Sequence, residues 1–162
     1  MTLRFVAVLM ILLGGVGLPA QAASTDGSST AGAHQRTQAS SRYQTRLLRQ
    51  INVERAAAGR RAIKRVDGCA DTMATRWAVH LASIETLVHR DQTEVLEACD
   101  FVWAGETLVR GTDLGPRRAV GAWMDSPPHR AVLLMARARV AGIGVRVRDG
   151  VVYVVLNLGR PT

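Results

Sequence analysis

Aromatic residues make up only 4% of the 162-residue chain: two Phe, three Trp and two Tyr. That scarcity leaves no visible stacking platform for nucleobases, although 21 basic residues outweigh 13 acidic ones for a net charge of +8. Lysine is almost missing; Lys64 stands alone among arginines. The plainest reading is a solvated, arginine-rich surface. Anionic cell-wall polymers or acidic lipid surfaces suit it better than nucleic acid, which is not expected as a partner. Local catalytic signatures are also absent: there is no HExxH, no Gly-x-Ser-x-Gly, no phosphate-cradling glycine loop and no CxxC pair. Nor is there a repeating βαβ rhythm, which argues against a doubly wound parallel sheet.

The only long apolar run is at the start. Arg4 precedes an apolar stretch from Phe5 to Leu18, and Ala20-Gln21-Ala22 forms an A-x-A cleavage pattern. Fourteen residues fall short of the ~20 that a membrane span needs. Residues 1–22 are therefore expected to be a signal peptide, with no transmembrane span after its removal and a secreted product. Residues 23–41, rich in Ser, Thr, Gly and Ala without apolar periodicity, are expected to form a flexible linker. Residues 42–160 remain for one domain, expected to be monomeric. Its two cysteines, Cys69 and Cys99, suit an oxidising compartment and are expected to pair. Nothing beside either one is placed to activate a thiolate.

Helical spacing predicts a first helix from Ser41 to Ala58, ending at Gly59, and a second from an Asp67 cap through Trp77 and Leu81. A short helix is expected over Asp91–Ala98, and another over Leu114–Asp125 with Asp113 as its cap. Pro127-Pro128 then stops the helical path, and a turn or two follows through Leu134. Two β-forming runs flank Asp149-Gly150, a type I′ hairpin signal. Helices first and an antiparallel sheet last make the fold class α+β.

Three ionisable residues stand beside these breaks. His89 is placed in a loop, Glu106 after a glycine at the end of a probable strand, and His129 directly after the prolines. Two imidazoles and a carboxylate are a donor set for a divalent metal such as zinc, or an acid–base pair. Their separations of 17 and 23 residues match no local ligand rule, and loop residues of these types are often only polar surface.

Taken in series, "LLRQINVERAAAG", His89, "AGETL", "AVGAWMDSPPHRAVLL", "VAGIGVRV" and "YVVLNLG" resemble the CAP superfamily, in particular its single-domain bacterial secreted branch. The resemblance covers nearly all of residues 43–160. It implies an α-β-α sandwich with a central antiparallel sheet and a polar cleft. It also implies that His89, Glu106 and His129 are the cleft residues, able in some members to hold a divalent metal. The match departs from the family pattern at Ser126, where many members have a second glutamate. It departs again at Thr107, which replaces the asparagine after the glutamate, and at Pro128, where glycine is common. The reading is an extracellular binding module for lipid or an anionic envelope component. The alternative is a metal-dependent hydrolase at the same cleft, although no complete catalytic constellation is present. A purely structural role for the polar cluster is the third possibility.

Overall fold

The computed structural model describes residues 26–162; the expected signal peptide lies outside them. The chain runs through α1 (Asp26–Ala57), β1 (Arg65–Val66), α2 (Gly68–Ile84), α3 (Gln92–Cys99), β2 (Phe101–Thr112), α4 (Pro116–Asp125), α5 (Pro127–Leu133), β3 (Val140–Arg148) and β4 (Val151–Pro161). The sheet order is β1-β3-β4-β2. The β2, β4 and β3 pairings are antiparallel, and the two-residue β1 adds a parallel edge beside β3. Such a short strand leaves no periodicity for sequence to reveal. Asp149 (φ 48°) and Gly150 (φ 76°) turn the β3–β4 hairpin, both in the left-handed region that a type I′ turn requires.

Alternation along the strands sorts side chains between two helical layers. On one face Leu47 and Ile51 of α1, Trp123 of α4 and Leu133 of α5 cover Ile143 and Leu156 of the sheet, all of them buried. Trp123 also satisfies its indole by donating to Leu108 O at 2.9 Å. On the opposite face α2 comes close to the backbone. A Cβ at Gly142 would lie 2.1 Å from Ala70 C, and one at Gly144 would lie 2.0 Å from Ala74 O. Asp67 caps α2 by accepting from Cys69 N–H and Ala70 N–H. The Cys69–Cys99 disulfide, with Cα atoms 5.6 Å apart, ties the start of α2 to the end of α3.

Three local expectations need correction. α1 begins at Asp26 rather than Ser41, so residues expected as a linker are helical from Asp26 onward. No proline interrupts them, and extending a helix whose later turns are docked costs far less than starting one. Asp113 does not cap α4. It sits at φ 51° in the turn after β2, and Gly115 occupies the cap position. Pro127 and Pro128 do more than end a helix. Proline's fixed φ also suits a first turn, where its missing amide has no intrahelical role, so both residues open α5 after the single hinge residue Ser126.

Candidate functional site

β2 is an edge strand, and Glu106 lies in its middle, not at its end. Its Cα partner on β4 is Asn157, which pairs in turn with Gly142 on β3; this row faces α2. The Glu106 side chain is 1% exposed, whereas that of His89 is 56% exposed. Glu106 Oε1 lies 2.8 Å from His89 Nδ1 and accepts from Arg90 N–H at 3.3 Å. Two groups converge on that oxygen, which makes it the acceptor. In the neutral ring this contact favours the proton on His89 Nδ1 and leaves the Nε2 lone pair for a ligand.

The loop carrying His89 has its own supports. Glu85 ends α2 in the left-handed conformation. Arg148 Nη1 donates to Ala82 O at 2.8 Å and to Ser83 O at 2.9 Å, satisfying carbonyls at the helix end. Arg110 Nη1 donates to Glu85 O. Farther along, Trp77 Nε1 donates to Val88 O at 3.0 Å, and the Arg90 guanidinium stacks 4.7 Å from the Trp77 ring. His80 stacks on Trp77 at 4.6 Å and does not join the other histidines. Trp77 thus clamps the loop on both sides of His89, a role its place in an apolar helical stripe did not show.

His129 arrives from the opposite layer. The Ser126 hinge and the proline-led turn of α5 bring its ring to 6.0 Å from that of His89. Burial, followed by the charge of His89, lowers the His129 pKa from its ordinary 6.5. Glu106 shifts the other way. Burial raises its pKa above 4.5, only partly offset by His89 and the Arg90 amide. Both shifts have the same physical origin, since a site poor in water disfavours whichever form is charged.

As a metal site, the arrangement fits two imidazole ligands better than three protein donors. Candidate donor atoms of His89, Glu106 and His129 do not all lie within 4.8 Å of one another. Glu106 Oε1 is engaged by the first imidazole, the pattern of a carboxylate that orients a ligating histidine. Its other oxygen, Oε2, is buried without a partner and is the one free carboxylate donor at the site. Among the described residues the group with clustered donor atoms is Asp67, Cys69 and Cys99, but its two sulfurs are bonded to each other.

Sequence reasoning missed Asn157. Its amide is wholly buried, and neither its oxygen nor its nitrogen has a partner. The signal was present as a lone amide within the apolar run "VVYVVLNLG". Pairing with Glu106 across the strands puts it beside Glu106 on the same face of the sheet.

A family model described as the cysteine-rich secretory protein family, CAP, matches residues 48–158. Comparison with curated proteins gives no match. An outer surface protein from Borrelia burgdorferi superposes with a TM-score of 0.66 at 20% identity, over 75% of this chain and 94% of that one. An extracellular protein containing an SCP domain from Bacillus anthracis gives 0.58 at 20% identity, over 68% of this chain and 37% of its own. A cysteine-rich secretory protein from Staphylococcus aureus gives 0.53 at 21% identity, over 70% and 37% respectively. Identities this low carry the fold alone.

Proposed function

The chain belongs to the cysteine-rich secretory protein (CAP) family, and from that premise we propose that it is a secreted binding module whose His89–Glu106–His129 cleft takes an amphiphilic ligand from an envelope. The carrying observation is that the His89–Glu106–His129 cluster is preceded in the chain by an exposed apolar stretch. On one side are an imidazole whose Nε2 is not engaged by Glu106 and a second imidazole whose pKa burial lowers. On the other, Ile84 at the end of α2 and Leu87 and Val88 in the loop before His89 are exposed. A polar head held by the imidazoles, with an acyl tail lying on these side chains, would satisfy both surfaces. Secretion is supported by the leader pattern of residues 1–22 and by a disulfide of the kind that persists in oxidising compartments.

The hydrolase reading asks for a general base beside a metal-bound water. Ser126 stands where the second glutamate would be, and Glu106 Oε1 is occupied by His89, so the binding reading is preferred. If a divalent ion binds, His89 Nε2 and His129 hold it, while Glu106 orients His89.

The test is titration with a fluorescent long-chain monoacylglycerol, whose hydroxyls can donate to the His89 Nε2 lone pair, wild type against the His89→Ala/His129→Ala double variant. The expected result is saturable binding that falls ~10-fold or more in the variant, the scale of one lost hydrogen bond. An unchanged far-UV spectrum would show that the fold is intact. Equal binding by both proteins refutes the cleft. Zn²⁺ added to the same pair provides a separate readout: a metal held by the imidazoles raises the wild-type melting temperature and not that of the variant.

A further inference from the structure

Charge is distributed unevenly between the two helical layers. Residues 42–65 carry eight arginines and lysines against one acid, Glu54; residues 67–106 carry two basic residues against eight acids. The basic segment contains α1 from residue 42 onward and the chain leading into β1, whereas the acidic one contains α2 and α3. At the β1 edge the basic segment borders a groove of about 660 Å³, lined by Arg61, Lys64, Arg65 and Arg139 together with Ala62, Val140 and Pro161. Its four charged lining residues are all cations. Arg65 has Asp67 at 3.5 Å, while the other three have no acid within ion-pair distance among the described residues.

A buried cation adjoins this region. Arg55 is 0% exposed and has no carboxylate partner among the described residues. Its guanidinium is held by carbonyls alone, with Nε donating to Arg61 O at 2.9 Å and Nη1 donating to Leu133 O and Met135 O. Nη2 is buried without a partner. Burial, followed by the charges of Arg139 and Arg60, lowers its pKa. The groove therefore stands over uncompensated positive charge, and an anion placed there would relieve repulsion as well as form new contacts.

We propose that this groove docks a linear, phosphate-bearing polyanion. Guanidinium groups present forked donors that match phosphate oxygens, and three of the four cations are arginines. A second cationic groove, of about 290 Å³, lies between α1 and α4 with Arg46, Arg49 and Arg117 in its lining, so the basic segment from residue 42 to residue 65 borders more than one phosphate-sized stop. A bilayer fits less well. It is flat and rewards apolar side chains that can be inserted, whereas the apolar lining here is Ala62, Pro161 and the buried Val140. The surface is separate from the histidine cleft and does not depend on the reading of that cleft.

The experiment measures binding of the purified protein to long-chain inorganic polyphosphate across a salt series. The proteins compared are wild type, Arg61→Gln/Lys64→Gln, and an Arg76→Gln/Arg146→Gln control that removes two exposed cations elsewhere. Wild type should bind with a steep salt dependence. The groove variant should flatten the slope of log affinity against log salt by about two units, one per lost phosphate contact, and the control should not. Circular dichroism and thermal melting of each variant establish that the fold is retained. Equal loss in both variants overturns the groove in favour of a diffuse charge effect. Orthophosphate binding as tightly as the polymer overturns the linear partner. Binding confined to phosphatidylglycerol vesicles overturns the polymer in favour of a membrane. His89→Ala should leave polyphosphate affinity unchanged, so failure here and failure of the cleft are distinguishable.

Discussion

On one face of the sheet, α1, α4 and α5 fill the space with bulk: Leu47, Ile51, Trp123 and Leu133 pressed onto Ile143 and Leu156. On the other, α2 brings Ala70, Ala74, Ala78 and Leu81 toward strands that have glycine at 142 and 144. The first layer is held by the volume of its side chains and the second by the closeness of its backbone. Each should fail in its own way. The bulky layer is weakened by removing atoms, the close layer by adding them.

The largest effect is expected from Trp123→Ala. It opens a cavity and leaves Leu108 O without its indole donor, a loss of about 3–5 kcal/mol measurable by chemical denaturation. Loss below ~1 kcal/mol would mean that the layer is not organised around this ring. Gly144→Ala adds one methyl group and still should cost roughly 1–3 kcal/mol, because its Cβ would sit 2.0 Å from Ala74 O and backbone must move. A melting temperature equal to wild type would refute close packing on the α2 side.

A smaller effect separates the layers by pH. In the fold His129 has a pKa below 6.5, so the unfolded chain takes up a proton that the folded chain resists. Stability from this group is present above 6.5 and is lost as pH falls through that value toward the folded one. Glu106 runs oppositely. The fold retains a proton that the unfolded chain releases, so its contribution is present below 4.5 and is lost as pH rises through the elevated folded value. His129→Asn should therefore flatten the drop in melting temperature on acidification below 6.5, and an unaltered profile would sink the assignment. The smallest effect is a gain. A Cβ at Gly121, within α4, meets nothing within 4 Å, so Gly121→Ala should add about 0.5–1 kcal/mol. The same substitution thus has opposite signs on opposite faces of one sheet.

Much of this architecture was legible where local chemistry dictates it. Asp67 caps α2, Asp149-Gly150 turns the hairpin, and α3 at Gln92–Cys99 lies within one residue of the helix expected over Asp91–Ala98. What sequence could not show depended on distant partners. β1 exists through its pairing with β3, and Glu106 lies in mid-strand because β4 pairs along all of β2. The site divides in the same way. His89, Glu106 and His129 were identifiable by type and by the blocks around them. Trp77 holding the loop, Asn157 beside Glu106 across the strands and the single-residue hinge at Ser126 follow from packing and pairing between distant elements, which no spacing rule encodes.

The Cys69–Cys99 bond has a topological consequence. It closes a ring that contains His89 but neither Glu106 nor His129, so the site is assembled across the boundary of that ring. Within the ring, the stretch from Ser83 to His89 is exposed and is the natural place for a protease to cut. One cut after Leu87 would turn the protein into two polypeptides without releasing either. The piece ending at Leu87 would carry Cys69, and the piece beginning at Val88 would carry Cys99 together with His89, Glu106 and His129. A nicked molecule should therefore migrate as one species until it is reduced, with the half that holds both histidines and Glu106 still strapped to α2 by a single pair of sulfur atoms.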